Sequence, residues 1–168
     1  MTVLETDRLS LRKFVVEDAP FIFKLVNDPS WLRFIGDRGV HSLEDAQKYI
    51  LNGPMSSYER FGFGLYMVQS KAGEVPLGMC GLIKRDFMQD VDIGYAFLPE
   101  FWGYGYAYEA ALATLEYGKS AFGLKRIVAV VSPDNVSSIK LLKKLGFHFE
   151  KMIQFPGDAN EIELYARE

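Results

Sequence analysis

The spacing of apolar and polar residues changes character several times along the chain. From residues 7–15, Leu9 and Leu11 alternate with polar neighbours, with Val15 in phase, which is the two-residue period of a half-buried strand. Glu17, Asp18 and Pro20 then suit the first turn of a helix, and Phe21, Ile22, Leu25 and Val26 recur at helical spacing before Asn27-Asp28-Pro29 stops it. Residues 30–40 carry Trp31, Phe34 and Ile35 among glycines and charges and read as a loop or short helical turn. Ser42 with Asp45 three residues on forms a capping pattern, opening a helix that should run to about Leu51 and end at Asn52-Gly53-Pro54.

The second half is richer in β-formers. Two runs, 62–69 and 75–84, flank a polar five-residue connection and form an antiparallel hairpin. A turn over 86–90 leads into a third adjacent strand at 91–98. After Gly105, small or apolar residues at Ala107, Ala110, Ala111, Thr114, Leu115, Gly118 and Ala121 mark a helix packed closely on a sheet, with Gly123 as its C-terminal glycine. Ile127 to Val131 is a continuous β-branched run of the kind buried on both faces. Strand, helix, strand at this length implies a right-handed parallel crossover. A helix from Asn135, buried through Ile139, Leu142 and Leu145, and two strands at 147–155 and 161–167 complete the order β-α-α-β-β-β-α-β-α-β-β. This predicts a mixed α+β fold, one domain over residues 1–168 around a central, mostly antiparallel sheet.

Composition removes several function classes. With 168 residues and net charge −3, the chain has no basic excess for nucleic acid, and Lys140, Lys143 and Lys144 read as cations on a solvated helix end. Cys80 is alone in an apolar run and His41 and His148 are the only histidines, so neither a disulfide framework nor a metal site is expected. The N-terminal residues lack a signal pattern and no 18-residue apolar span occurs, so a cytoplasmic protein without a membrane partner is expected.

The residues with chemical promise lie where the 91–98 strand breaks. Pro99 is followed by Trp102-Gly103-Tyr104-Gly105-Tyr106-Ala107 and then by the small-residue helix. A strand that turns through glycines into a helix aims free backbone N–H groups at one point, a seat for phosphate or pyrophosphate. A P-loop is excluded, because Ala113 stands where Gly118-Lys119-Ser120 would need a glycine. A dinucleotide fingerprint starting at Gly103 would place its third small residue on Tyr108.

The same stretch resembles the coenzyme A-binding motif of the GNAT N-acetyltransferase superfamily, Arg/Gln-x-x-Gly-x-Gly/Ala after a bulged strand. Gly105 and Ala107 take the two small positions and Trp102 replaces the Arg or Gln. Asn135 to Phe147 is similar to the superfamily's Asn-x-x-Ala/Ser…Gly-Phe segment. Thr6-Asp7-Arg8-Leu9-x-Leu11-Arg12, Asp92-Ile93-Gly94-Tyr95 and the Trp-Gly-x-Gly-Tyr-Ala wording look like the RimJ/RimL-like branch, which includes enzymes acetylating ribosomal-protein N-termini. The resemblance implies a sheet splayed into a V between its fourth and fifth strands, helices on both faces, and acetyl-CoA as acetyl donor. It implies an enzyme that passes the acetyl group directly to a primary amine, on a small molecule or a protein N-terminus, as monomer or homodimer. A non-catalytic coenzyme A-binding module and the use of another acyl-CoA are the alternatives.

Residue by residue, the resemblance assigns the pyrophosphate to the backbone of Gly103, Tyr104, Gly105, Tyr106 and Ala107. It assigns the pantetheine arm to Phe97, Leu98 and Asn135, and the thioester oxyanion to the Phe97 N–H. Asn135 equally suits a helix cap. The tyrosine that many members use as acid is Leu142 here, leaving Ser138 as the nearest hydroxyl for that role or as a small residue facing the cofactor. Asp92 is the candidate base, or a strand-edge carboxylate; Glu109 reads as dipole compensation in a first helical turn. Trp31 and Phe34, with Tyr49, Tyr58 and Phe61, come from the region that forms the acceptor wall in the superfamily, and also suit satellite core packing.

Overall fold

In the computed structural model, which describes residues 1–168, eight strands form one sheet in the order β1-β2-β3-β4-β5-β6-β8-β7. Strands β1 (Thr2–Glu5) and β2 (Leu9–Lys13) form an N-terminal hairpin. Helices α1 (Ala19–Val26), α2 (Pro29–Phe34), α3 (Leu43–Ile50) and α4 (Ser56–Phe61) follow. Strands β3 (Leu65–Ser70), β4 (Pro76–Ile83) and β5 (Asp92–Phe97) extend the meander, then α5 (Tyr106–Phe122) crosses to β6 (Ile127–Val131). Helix α6 (Val136–Lys144) and the hairpin of β7 (His148–Gln154) and β8 (Glu161–Arg167) close the chain.

Every expected strand and helix is present, and some details differ. Strand β1 is additional; with four residues and two half-buried positions it has too little pattern to announce itself. Val15 does not continue the β2 face but is 41% exposed, because the backbone turns at Phe14, which is buried in its place. Asn52-Gly53-Pro54 does not end α3. A π-helical turn over Leu51–Met55 takes up Pro54 and leads directly into α4. The wider turn accommodates a residue without an N–H, so proline widens this helix instead of breaking it.

Helices cover both faces. On one, α5 and α6 pack Ala110, Ala111, Leu115 and Leu142 onto Leu82, Ile93, Ile127 and Ala129. On the other, α1, α2 and α3 bury Ile22, Leu25, Trp31 and Ile50 against Met67, Met79 and Leu98. Gly118 explains how α5 comes so near, since a Cβ there would sit 3.0 Å from Leu82 Cδ1.

Seven strand pairs hold the sheet and only one is parallel, β5 with β6. That pair meets at a single rung, Asp92 opposite Val128, with the Val128 N–H donating to Val91 O at 3.0 Å. Beyond it the two strands diverge, which is the expected V. The expected bulge in β5 is absent from its pairing with β4. Register runs unbroken from Ile83 opposite Asp92 to Gly78 opposite Phe97. The V therefore opens by divergence of two regular strands.

Candidate active site

The backbone that faces the V is fixed by hydrogen-bond alternation. Leu98 N–H donates to Leu77 O at 3.0 Å, so Leu98 looks toward β4. Neighbouring amides in an antiparallel strand point opposite ways, so the Phe97 N–H points away from β4 and into the gap before β6. The Phe97 side chain is a core aromatic at the same time, at 7% exposure. Its carbonyl accepts from Trp102 Nε1 at 2.9 Å. Trp102, standing where the motif has Arg or Gln, thus ties the turn to the end of β5, while its own N–H and that of Phe101 are used by Pro99 O and Leu98 O.

Immediately beyond, none of the backbone N–H groups from Gly103 to Tyr108 donates a hydrogen bond within the chain. Gly103 and Gly105 stand at φ 86° and 81°, a left-handed conformation that favours glycine. Gly105 is the N-cap of the 17-residue α5 and offers no side-chain cap. Six consecutive free donors at the positive end of a long helix form a cradle for a doubly charged anion. No charged side chain of the turn itself assists. Arg8 of the β1–β2 connection does approach: its guanidinium lies 4.6 Å from the Tyr106 ring centroid, and a Cβ on Gly105 would be 3.5 Å from its Nη2. Glu109 holds it there, accepting from Arg8 Nε at 2.7 Å, Arg8 N at 3.0 Å and the Thr6 hydroxyl. Burial opposes the charge on Glu109, but these bonds keep its pKa below the usual carboxylate range. Glu109 is thus an anchor, with both carboxylate oxygens engaged.

A cleft of about 1070 Å³ runs along the V and brings together residues from distant parts of the sequence. Asp92, Asn135, Ser138, Trp31 and Phe34 all line it; Phe97, Leu98 and the 103–107 turn lie outside its lining. Asn135 caps α6, its side chain accepting from Ser138 N–H at 3.3 Å, and its amide group keeps its donors free. Trp31 is mostly core, with Nε1 bonded to Gly36 O at 3.0 Å, and shows the cleft only an edge. Phe34 and Phe61 line the same wall. Tyr58 does not: its hydroxyl serves Leu65 O and Phe14 N–H, and its ring stacks on Tyr66, so it belongs to the packing.

Two titrating groups stand out. Asp92 is buried, and burial pushes its pKa up to about 6 even though Arg85 Nε lies 3.3 Å away. Tyr95 was not singled out from the sequence. It extends from β5 to α6, its hydroxyl 2.9 Å from Ser138 Oγ, and burial pushes its pKa up to about 12. Leu142 is buried nearby. The hydroxyl arrives from the opposite wall of the V, and the two-residue alternation that places Tyr95 beside Phe97 and Ile93 on the α6 face was the available signal.

Comparison with known proteins agrees with this geometry. The family model for the acetyltransferase (GNAT) domain matches residues 8–148. The uncharacterized N-acetyltransferase YoaA of Bacillus subtilis is 34% identical over 90% of this chain and 86% of its own. A GNAT-family acetyltransferase structure from Bacillus anthracis superposes with TM-score 0.82 at 26% identity, covering 99% of this chain and 98% of that one. A RimL ribosomal L7/L12 alpha-N-protein acetyltransferase in complex with coenzyme A shares the fold, with TM-score 0.83, 20% identity and coverage of 99% and 97%. With a family model spanning most of its length and close relatives of the same kind, the chain belongs to the GNAT family of acetyltransferases.

Proposed function

We propose that the protein transfers the acetyl group of acetyl-CoA directly to a primary amine, a peptide N-terminus or a small-molecule amine. The observation that carries the reading is the run of six unpaired N–H groups at α5, set at the end of the strand that borders the V. Acetyl-CoA supplies a thioester, activated for attack by an amine. The chain's residues fit it part by part. The 103–108 amides and Arg8 meet the pyrophosphate; the open edge of β5 and the free Asn135 amide meet the pantetheine arm; the Phe97 N–H faces the place where charge would develop on oxygen.

In the balanced reaction an N–C bond forms, the C–S bond breaks, one proton leaves nitrogen and one reaches sulfur. Tyr95 and Ser138, both protonated at neutral pH, are the hydroxyls available to the sulfur. Asp92 sits five residues before Phe97, about 17 Å along a strand, so it takes the amine's proton through water and not directly. It lies on the opposite face from Tyr95, so proton removal and proton delivery are separated by the sheet. An α-amino group with pKa ~7.7–8.0 needs little help from such a base.

The test is calorimetric titration with acetyl-CoA together with thiol release against a panel of amines. Gly105→Glu puts a carboxylate in the anion cradle and a side chain at φ 81°. Binding should weaken by about a hundredfold or more. Normal binding by this variant would overturn the cofactor site, and tight binding with no turnover on any amine would overturn the enzymatic reading.

A further inference from the structure

The cleft is divided by charge. Its cations lie on the side built from α2–α4 and the end of β4; its carboxylates lie on β5, the β6–α6 connection and the β7–β8 loop. Some neutralise each other. Arg85 pairs with the buried Asp92 at 3.3 Å, and the exposed Arg33 and Asp134 meet only loosely, at 3.7 Å, across the mouth. What remains on the cationic side is Arg38, Arg60 and Lys84. Lys84 bonds the carbonyls of Arg85 and Met88 and is paired with no carboxylate. Arg38 has no ion pair, and Arg60 has only the 90%-exposed Asp86 at 3.8 Å, a contact worth little in water. Asp158 and Glu161, across the cleft, have no cationic partner either.

A ligand carrying only positive charge would meet repulsion along the first wall, and one carrying only negative charge along the second. A ligand with both signs is complementary to both. The cleft also continues. A second cavity of about 380 Å³, lined also by Asp45 and Lys48, shares Arg38, Tyr49, Asn52 and Gly53 with it. The Tyr49 hydroxyl at this junction feels both Arg38 and Arg85, which act against the burial that raises its pKa.

We propose that the acceptor is a primary amine that also bears a carboxylate, its amino group arriving along Asp158 and Glu161 and its carboxylate held by Arg38 and Arg60. This rests on the acetyltransferase reading and names its substrate class. The carboxylate can belong to a free amino acid or to an acidic residue just after a peptide N-terminus. The continuation past Arg38 leaves room for the second. The chemistry is the balanced transfer already given, with the acceptor nitrogen gaining the acetyl group and coenzyme A leaving as thiol.

Thiol release from acetyl-CoA separates the outcomes. The acceptors are free glutamate, C-terminally amidated tripeptides with Asp or Glu at the second and third positions, the same amidated tripeptides with Asn or Gln, the same with Lys, and spermidine. Acidic acceptors should exceed their amide counterparts about tenfold or more in kcat/KM. Rates on glutamate against tripeptides then decide between the two sources. Arg38→Glu with Arg60→Glu, both exposed and checked for folding by thermal melting, should lose about tenfold on acidic tripeptides and gain on the lysine set. Equal rates on acid and amide, a preference for spermidine, or an unchanged preference in the double variant would each overturn the inference while leaving acetyl transfer intact. Acetyl-CoA binding without turnover on any of them would overturn the acetyltransferase reading and this inference with it.

Discussion

Asp92 shows how a residue's surroundings decide its use. Its carboxylate is buried between two strands at their single shared rung, and burial raises its pKa to about 6. A raised folded-state value has a definite sign. The folded protein binds the proton more tightly than the unfolded chain, so this group's contribution to stability is full below about pH 4 and is lost as pH rises through 6. Ionisation therefore weakens the fold at the same pH at which it creates a base. Two measurements follow. In kcat/KM against pH, the wild type should show an inflection near 6 that Asp92→Asn lacks, and a profile unchanged in the variant would remove Asp92 from proton transfer. In urea melts, the stability gap between variant and wild type should change between pH 4 and 7 in the variant's favour. The sequence placed Asp92 on the right strand, because β-formers around it left no other reading. It did not disclose the pairing with Arg85, seven residues away through a turn, nor the Tyr95–Ser138 contact, which joins residues 43 apart. Local periodicity tells which face a side chain takes, and not what stands opposite.

At the scale of elements, β4 governs the shape of the site more than its composition implies. A Cβ on Gly78 would lie 2.3 Å from Ala96 O, and one on Gly81 2.0 Å from Gly64 O, so β4 is pressed by backbone on both sides. That closeness fixes where Phe97 ends up and in which direction its amide points. Gly78→Ala should cost roughly 3 kcal/mol, since the atom it would meet is main chain and cannot rotate away. A lowered urea midpoint with unchanged m-value, together with weaker acetyl-CoA binding, is the expected result; wild-type stability would show that β4 and β5 separate easily. Glycines in a predicted strand signal such an approach in general terms. Which backbone approaches is a matter of sheet order, and strand order follows from hairpins only where the connections are short. The β3–β4–β5 meander was legible for that reason. The π-helical turn at Leu51–Met55 was not, because its proline and glycine carry the same signature as a helix end.

The whole molecule divides at the V. Residues up to Phe97 build five strands and their helices, residues from Ile127 build three strands and α6, and a single rung of strand pairing joins the two parts of the sheet. Tyr95 and Phe97 amides face the gap with no partner strand, although the residues around them are buried. Their hydrogen exchange should be fast compared with Gly94 and Ala96, which are bonded to β4, and should slow on addition of coenzyme A. Equal protection of all four amides in the free protein would mean that the gap closes in solution. Unpaired strand edges are where β proteins stick to their neighbours. Here two such edges confront each other across the cleft. The protein thus keeps an adhesive pair of edges facing each other inside its own fold, available to a slender ligand. Loosening the rung at Asp92 and Val128 would turn the same edges outward, and the first symptom would be aggregation of the free protein, held back by its ligand.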